Sequence, residues 1–196
     1  SVLFASDRGG TMDIWEKRLD SGPGTGLVPL TTRLGAEVSP AVTRDGSRIA
    51  WLDEGGNLRV TSRNPKGVPD SAQAEMVIYR ARRGAGMPSW SADGETIAVA
   101  SLVPYSSRYR EGRNRIALVS ANSGETRILD EPASSFGTRD ADGPVFSPDG
   151  TQLALAMDGG LSVLSLDPAG VSVGPPETLF EGPVDFPSWT PDGTAI

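Results

Sequence analysis

The chain has no cysteine and no histidine. Without thiols there are no disulfides, no thiolate nucleophiles and no zinc–thiolate sites, and the sequence is compatible with either redox compartment. Without imidazole there is no Ser-His-Asp triad, no Cys-His pair and no His-ligated metal, which removes most common hydrolase chemistries at once. Long apolar runs are missing too. No stretch approaches the roughly 18 to 20 unbroken apolar residues of a membrane-spanning helix, so no membrane insertion is expected. Positive charge is in short supply, with 18 Lys and Arg against 25 Asp and Glu and a net charge of −7. Nucleic acid or an anionic leaflet calls for a basic groove or patch, and neither partner fits this balance. The first residues carry no charged-then-apolar leader, so any signal peptide is expected to have been removed or to lie outside this sequence.

What the chain does have is turns and a repeat. It contains 24 glycines and 16 prolines, many punctuation points for a sequence without disordered composition. The stretches "SPAVTRDGSRIAWLD" (39–53), "MPSWSADGETIAVAS" (87–101), "GPVFSPDGTQLALAM" (143–157) and "FPSWTPDGTAI" (186–196) superpose without gaps. Each carries a proline (Pro40, Pro88, Pro144, Pro187), a bulky apolar residue two places on (Val42, Trp90, Phe146, Trp189) and an Asp-Gly pair. The pairs are Asp45-Gly46, Asp93-Gly94, Asp149-Gly150 and Asp192-Gly193, and they recur at intervals of about 43 to 56 residues. Asp-Gly makes a tight reversal, because glycine takes positive φ freely and aspartate hydrogen-bonds its own turn. A short strand is expected before each turn and an alternating one after it, with Ile49 and Trp51, Ile97 and Val99, Leu153 and Leu155 facing the core. Third strands are read in 57–62, 115–120 and 161–166, and fourth strands in 75–80, 126–129 and 177–180. Four antiparallel strands in each unit, repeated around an axis, are an all-β design of propeller blades.

The "SPDG" and "PxWSxDG" signals resemble the PD40 or TolB-type repeat of the WD40-like propellers of bacteria. "FASDRGGTMDIWEKRLDSG" (4–22) is similar to the second and third strands of such a blade. The resemblance covers essentially the whole chain and implies one β-propeller domain over 1–196. Its expected divisions are a partial blade 1–38, blades 39–86, 87–142 and 143–185, and a partial blade 186–196. "TRDG" and "SADG" lack the proline of "SPDG". The resemblance further implies a non-catalytic scaffold that presents a surface to protein partners, in a periplasmic or otherwise extracytoplasmic setting. No catalytic residue, cofactor or metal is expected within the chain. A narrower likeness, in "PYSSRYREG" (104–112) and "RDADGPVFSPDG" (139–150), is to propellers that precede bacterial metal-dependent amidohydrolase domains. The alternative reading is therefore an accessory propeller of a larger hydrolase, an amidohydrolase or in second place a prolyl-oligopeptidase-type peptidase, with its catalytic domain outside this sequence.

The four repeated aspartates are read as turn formers, since a catalytic pair would occur once and a turn former in every repeat. The tryptophans are expected to pack between blades, each burying roughly 150–250 Å². "RDADG" opens like a calcium loop but runs into a strand at Pro144, where further ligands and a closing carboxylate are required. A carboxylate-only glycosidase fits poorly, because the turns lack the Ser-x-Asp-x-Gly-x-x-Trp spacing of sialidase-type propellers. The least ordinary stretch is the long hairpin 101–118, where Arg108, Arg110, Arg113 and Arg115 interleave with Tyr105 and Tyr109. One reading is a solvated hairpin whose arginines pair with nearby carboxylates. The other is a docking loop for a protein partner or an adjacent catalytic domain of the same polypeptide, since Arg and Tyr are enriched where proteins meet. The chain also begins and ends at the same phase of the repeat, Val2 and Ile196 both aligning with Ile97. The expectation is a window on a larger propeller, with closure of a four-bladed ring as the alternative.

Overall fold

The alternation predicted after the first three Asp-Gly turns is realised as strands buried on both faces. A computed structural model describes residues 1–32, 34–63, 76–80, 86–104, 112–129, 141–157 and 159–196, without the side chains of 102–104, 112 and 113. Among the described residues fifteen strands form four antiparallel sheets, each in simple chain order. The first sheet holds β1 (Val2–Ser6), β2 (Asp13–Lys17) and β3 (Leu27–Pro29). The second holds β4 (Glu37–Val42), β5 (Arg48–Asp53), β6 (Asn57–Ser62) and β7 (Met76–Arg80). The third holds β8 (Ser89–Trp90), β9 (Thr96–Pro104), β10 (Gly112–Ser120) and β11 (Thr126–Ile128). The fourth holds β12 (Ala141–Phe146), β13 (Gln152–Met157), β14 (Gly160–Ser165) and β15 (Glu177–Glu181). Residues 186–190, which match the first-strand segments of the repeat, enter none of these sheets.

Each middle sheet is sandwiched, and its period-2 alternation is divided between two interfaces. On β5, Ile49 and Trp51 face the first sheet, where they meet Ile14 and Leu30. Ala50 and Leu52 face the other way, into a cluster with Trp90, Ile97 and Val99. On β9, Ala98 and Ala100 turn toward the fourth sheet and meet Leu153, Leu155 and Phe146. The small residues between the expected core positions are therefore buried as well, Ala50, Ala98 and Ala154 all at 0% exposure. Large side chains on one sheet fill the space left by alanines on its neighbour, which is how stacked sheets reach interior packing density.

Polar side chains stitch the same interfaces. Arg63 of the second sheet pairs with Glu16 of the first at 2.9 Å, with side chains only 6% and 7% exposed. Arg48 donates to the carbonyls of Gly94 at 3.2 Å and Ala121 at 2.7 Å while lying over the Trp90 ring. The Tyr79 hydroxyl donates to Ser101 Oγ across the same interface, and Arg127 donates to the Gly170 carbonyl between the third and fourth sheets. The Trp51 indole N–H donates to buried Glu37 Oε1 at 3.1 Å.

Candidate binding site

The four Asp-Gly reversals share one hydrogen-bond pattern. The hydroxyls of Thr43, Ser91, Ser147 and Thr190 donate to Oδ1 of Asp45, Asp93, Asp149 and Asp192 at 2.5–2.6 Å. The same hydroxyl oxygens accept the N–H of Arg48, Thr96, Gln152 and Ala195 at 3.0–3.1 Å. Each Oδ1 also accepts the backbone N–H two residues on, from Ser47, Glu95, Thr151 and Thr194. Gly46, Gly94, Gly150 and Gly193 close the turns with φ of 72° to 76°, a region costly for any residue with a Cβ. Bonds to the ionised form hold all four carboxyls below their ordinary range. Asp45 and Asp192 lie at about 2, first through the hydroxyls of Thr43 and Thr190 and then through the backbone N–H of Ser47 and Thr194. The turns also nest. A Cβ on Gly94 would lie 3.3 Å from Thr43, one on Gly150 3.3 Å from Ala92, and one on Gly193 3.5 Å from Pro148.

The strands entering these turns, β4, β8 and β12, are the edge strands of their sheets. Pro40 and Pro144 sit on β4 and β12 and Pro88 directly precedes β8, where a missing N–H breaks no ladder. In two of these strands pairing slips across the proline, between Val38 and Ala41 and between Asp142 and Val145. The residue ahead of the proline is left-handed in three repeats, at Ser39 (φ 54°), Gly143 (φ 56°) and Phe186 (φ 54°). Such bulges re-aim side chains at a sheet edge, and Phe186 is left 67% exposed. This bulge was not read from the sequence, although glycine before Pro144 is the kind of residue it needs. Strand β12 starts at Ala141, so Asp142 lies on a strand and accepts the N–H of Gly143, while Asp140 lies outside the described residues.

Together the edge strands and residues 186–191 wall a concavity of about 600 Å³. Its apolar surface comes from Met87, Trp90, Phe146, Phe186 and Trp189. Trp90 and Trp189 are held by the previous repeat, their indole N–H groups donating to the carbonyls of Ala41 at 3.3 Å and Val145 at 3.1 Å. Among the described residues the sole charged group lining the concavity is Arg44. Arg44 is exposed and donates from Nη1 to the Pro148 carbonyl at 3.2 Å, bridging the turns of the second and fourth sheets. Among the described residues no cluster of three or more Asp or Glu is placed to hold a metal ion.

Residues 105–111 of the arginine-rich hairpin lie outside the described residues. Tyr105, Arg108, Tyr109 and Arg110 fall there, and Arg113 is placed by its backbone alone, opposite Val103. Arg115 is paired opposite Ser101 on β10. Strands β9 and β10 run nine residues each, against six for β5, β6, β13 and β14, so this hairpin reaches beyond its neighbours.

Sheets stacked face to face, with edge strands walling a shared concavity and nested turns around it, define a β-propeller. Similar proteins narrow the class. A TolB homolog from Chlorobium luteolum is 30% identical over 171 residues, or 85% of this chain. The crystal structure of TolB from Acinetobacter baumannii superposes over 97% of the chain with a TM-score of 0.68 and 18% identity, covering 43% of that protein. A putative TolB from Agrobacterium tumefaciens gives 0.61 and 19% identity over 97% of this chain and 66% of its own. No family model matches. The chain belongs to the TolB-like β-propeller family, and it spans 34% of the length of the curated relative it matches.

Proposed function

We propose that the chain is a non-catalytic interaction module, a scaffold propeller of the bacterial envelope, whose docking surface is the inner-strand concavity. The observation that carries this reading is the lining itself, aromatic and proline-rich with Arg44 as its one charged side chain. Hydrolysis needs groups that give and take a proton at one bond, and a guanidinium does neither near neutral pH. The turn aspartates supply no such pair, because hydrogen bonds within each turn hold their carboxyls ionised. Aromatic anchors in a desolvated pocket are instead what protein docking uses.

The β9–β10 hairpin is a second contact in this proposal. Arg113 and Arg115 lie on β10, and Tyr105, Arg108, Tyr109 and Arg110 fall in the residues that connect β9 to β10. It would meet a protein partner or an adjacent domain of the same polypeptide. Peptides selected from a displayed library on the immobilised chain should lose binding to the Phe186→Ala variant. A library that enriches nothing, or turnover of peptide, amide or glycoside substrates by the chain, contradicts the reading. Replacing Arg108, Arg110, Arg113 and Arg115 by alanine with no effect on any partner contact removes the hairpin from it.

A further inference from the structure

Arg44 occupies a position at which the other three turns carry Ala92, Pro148 and Pro191. The turn pattern is the same in all four, so the reversal does not require a cation there. Its guanidinium makes no ion pair among the described residues, and one of its five donors is committed to the Pro148 carbonyl. Asp149 and Asp192 line the adjoining recess with Arg44, but their Oδ1 atoms are engaged by Ser147 and Thr190 in their own turns. On a chain of net charge −7, the sole charge among the described residues lining this concavity is therefore positive, and its guanidinium is open to a ligand.

We propose that this concavity receives the C-terminal end of a partner polypeptide, with an apolar last side chain among Trp90, Phe186 and Trp189 and the α-carboxylate on Arg44. The proposal rests on the reading of the chain as a docking module and names what that module takes. A planar guanidinium matches a carboxylate with two parallel hydrogen bonds, stronger and more directional than neutral ones. The apolar walls accept a ligand whose charge is confined to one end, since other buried charges would lack partners. A polypeptide fits better than a small acid because β4, β8 and β12 each pair on one side only. Their open edges offer backbone groups to an extended segment leading into the terminus.

The test uses the full chain and two probes, N-acetyl-Gly-Ala-Phe with a free carboxylate and the same peptide as its C-terminal amide. Binding is read by tryptophan fluorescence. The carboxylate form should bind about tenfold or more tightly than the amide, the span of a charge-assisted hydrogen bond. Arg44→Ala should abolish that preference, Arg44→Lys should keep part of it, and Arg44→Gln, which retains a donor for the Pro148 carbonyl, should behave as alanine does. Equal binding of the two probes, or a preference unchanged in Arg44→Gln, overturns the carboxylate assignment while leaving the docking surface standing. Phenylpropionate binding as tightly as the peptide overturns the polypeptide. Binding of neither peptide overturns the assignment and the concavity as a docking surface together.

Discussion

Ser147→Ala isolates what the repeated turn contributes. Ser147 is 4% exposed. Its hydroxyl donates to Asp149 Oδ1 at 2.6 Å, and its oxygen accepts the N–H of Gln152 at 3.0 Å. The substitution removes both bonds and leaves the Gln152 N–H facing a methyl group at the start of β13. A net intramolecular hydrogen bond is worth about 1 kcal/mol, and a buried donor left unmade costs about 1–3. The expected loss is about 2–3 kcal/mol, a large share of the roughly 5–15 kcal/mol that holds a domain together. Urea unfolding followed by tryptophan fluorescence should show the midpoint falling by about 1 M with an unchanged slope. Thr190 makes the same bonds at 2.6 and 3.1 Å in an exposed turn, where water replaces what is lost. Thr190→Ala should cost less than half as much. Equal costs at the two positions, or a Ser147→Ala midpoint within about 0.2 M of the parent, would refute the view that buried turn bonds fix the register of the strands.

Arg63→Met leaves Glu16 as a buried carboxylate without its partner, and the loss in urea unfolding should reach about 3–5 kcal/mol. Burial by itself would raise the Glu16 carboxyl, but hydrogen bonds from Ser1 and Arg63 and the charges of Arg63 and Arg18 hold it below its usual value. Trp51→Ala empties a site at 0% exposure between the first two sheets and should cost about 3–5 kcal/mol by the same measurement. Gly150→Ala forces a Cβ into φ 76° and to 3.3 Å from Ala92, with an expected cost of about 1–2 kcal/mol. Acid should loosen the turns. The folded-state carboxyls of Asp45, Asp93, Asp149 and Asp192 lie below those of the unfolded chain, so their stabilisation is complete above about pH 4. It is lost as the pH falls toward the value of about 2 held by Asp45 and Asp192. Urea midpoints should be flat from neutral pH to about 5 and drop below about 4, and a midpoint unchanged at pH 2.5 would contradict this.

The turns and the alternating strands were legible because both are local. Thr43, Asp45 and Gly46 satisfy one another within a few residues, and Ile49 and Trp51 alternate whatever sheet they meet. The strands after the first three turns, and β6 in full, stand where the pattern put them. Features made by two sheets together were not legible. Nothing in the order of residues announces that Arg48 reaches the Gly94 and Ala121 carbonyls, or that Arg63 meets Glu16. The burial of Ala50 and Ala98 was missed for the same reason, since a strand covered on both faces hides its small residues as well as its large ones. The concavity is more distant still, because it gathers Arg44, Trp90, Phe146 and Phe186 from four repeats. Arg44 could have been singled out as the one charged residue in a position otherwise held by alanine or proline.

The docking surface itself is tested most directly by nuclear magnetic resonance of the four tryptophan indole N–H groups during titration with N-acetyl-Gly-Ala-Phe. The signals of Trp90 and Trp189, which line the concavity, should shift together and saturate. The signal of Trp51, sealed between the first two sheets with its N–H on Glu37, should stay in place. Stationary Trp90 and Trp189 signals at saturating peptide, or a response led by Trp51, would contradict the account.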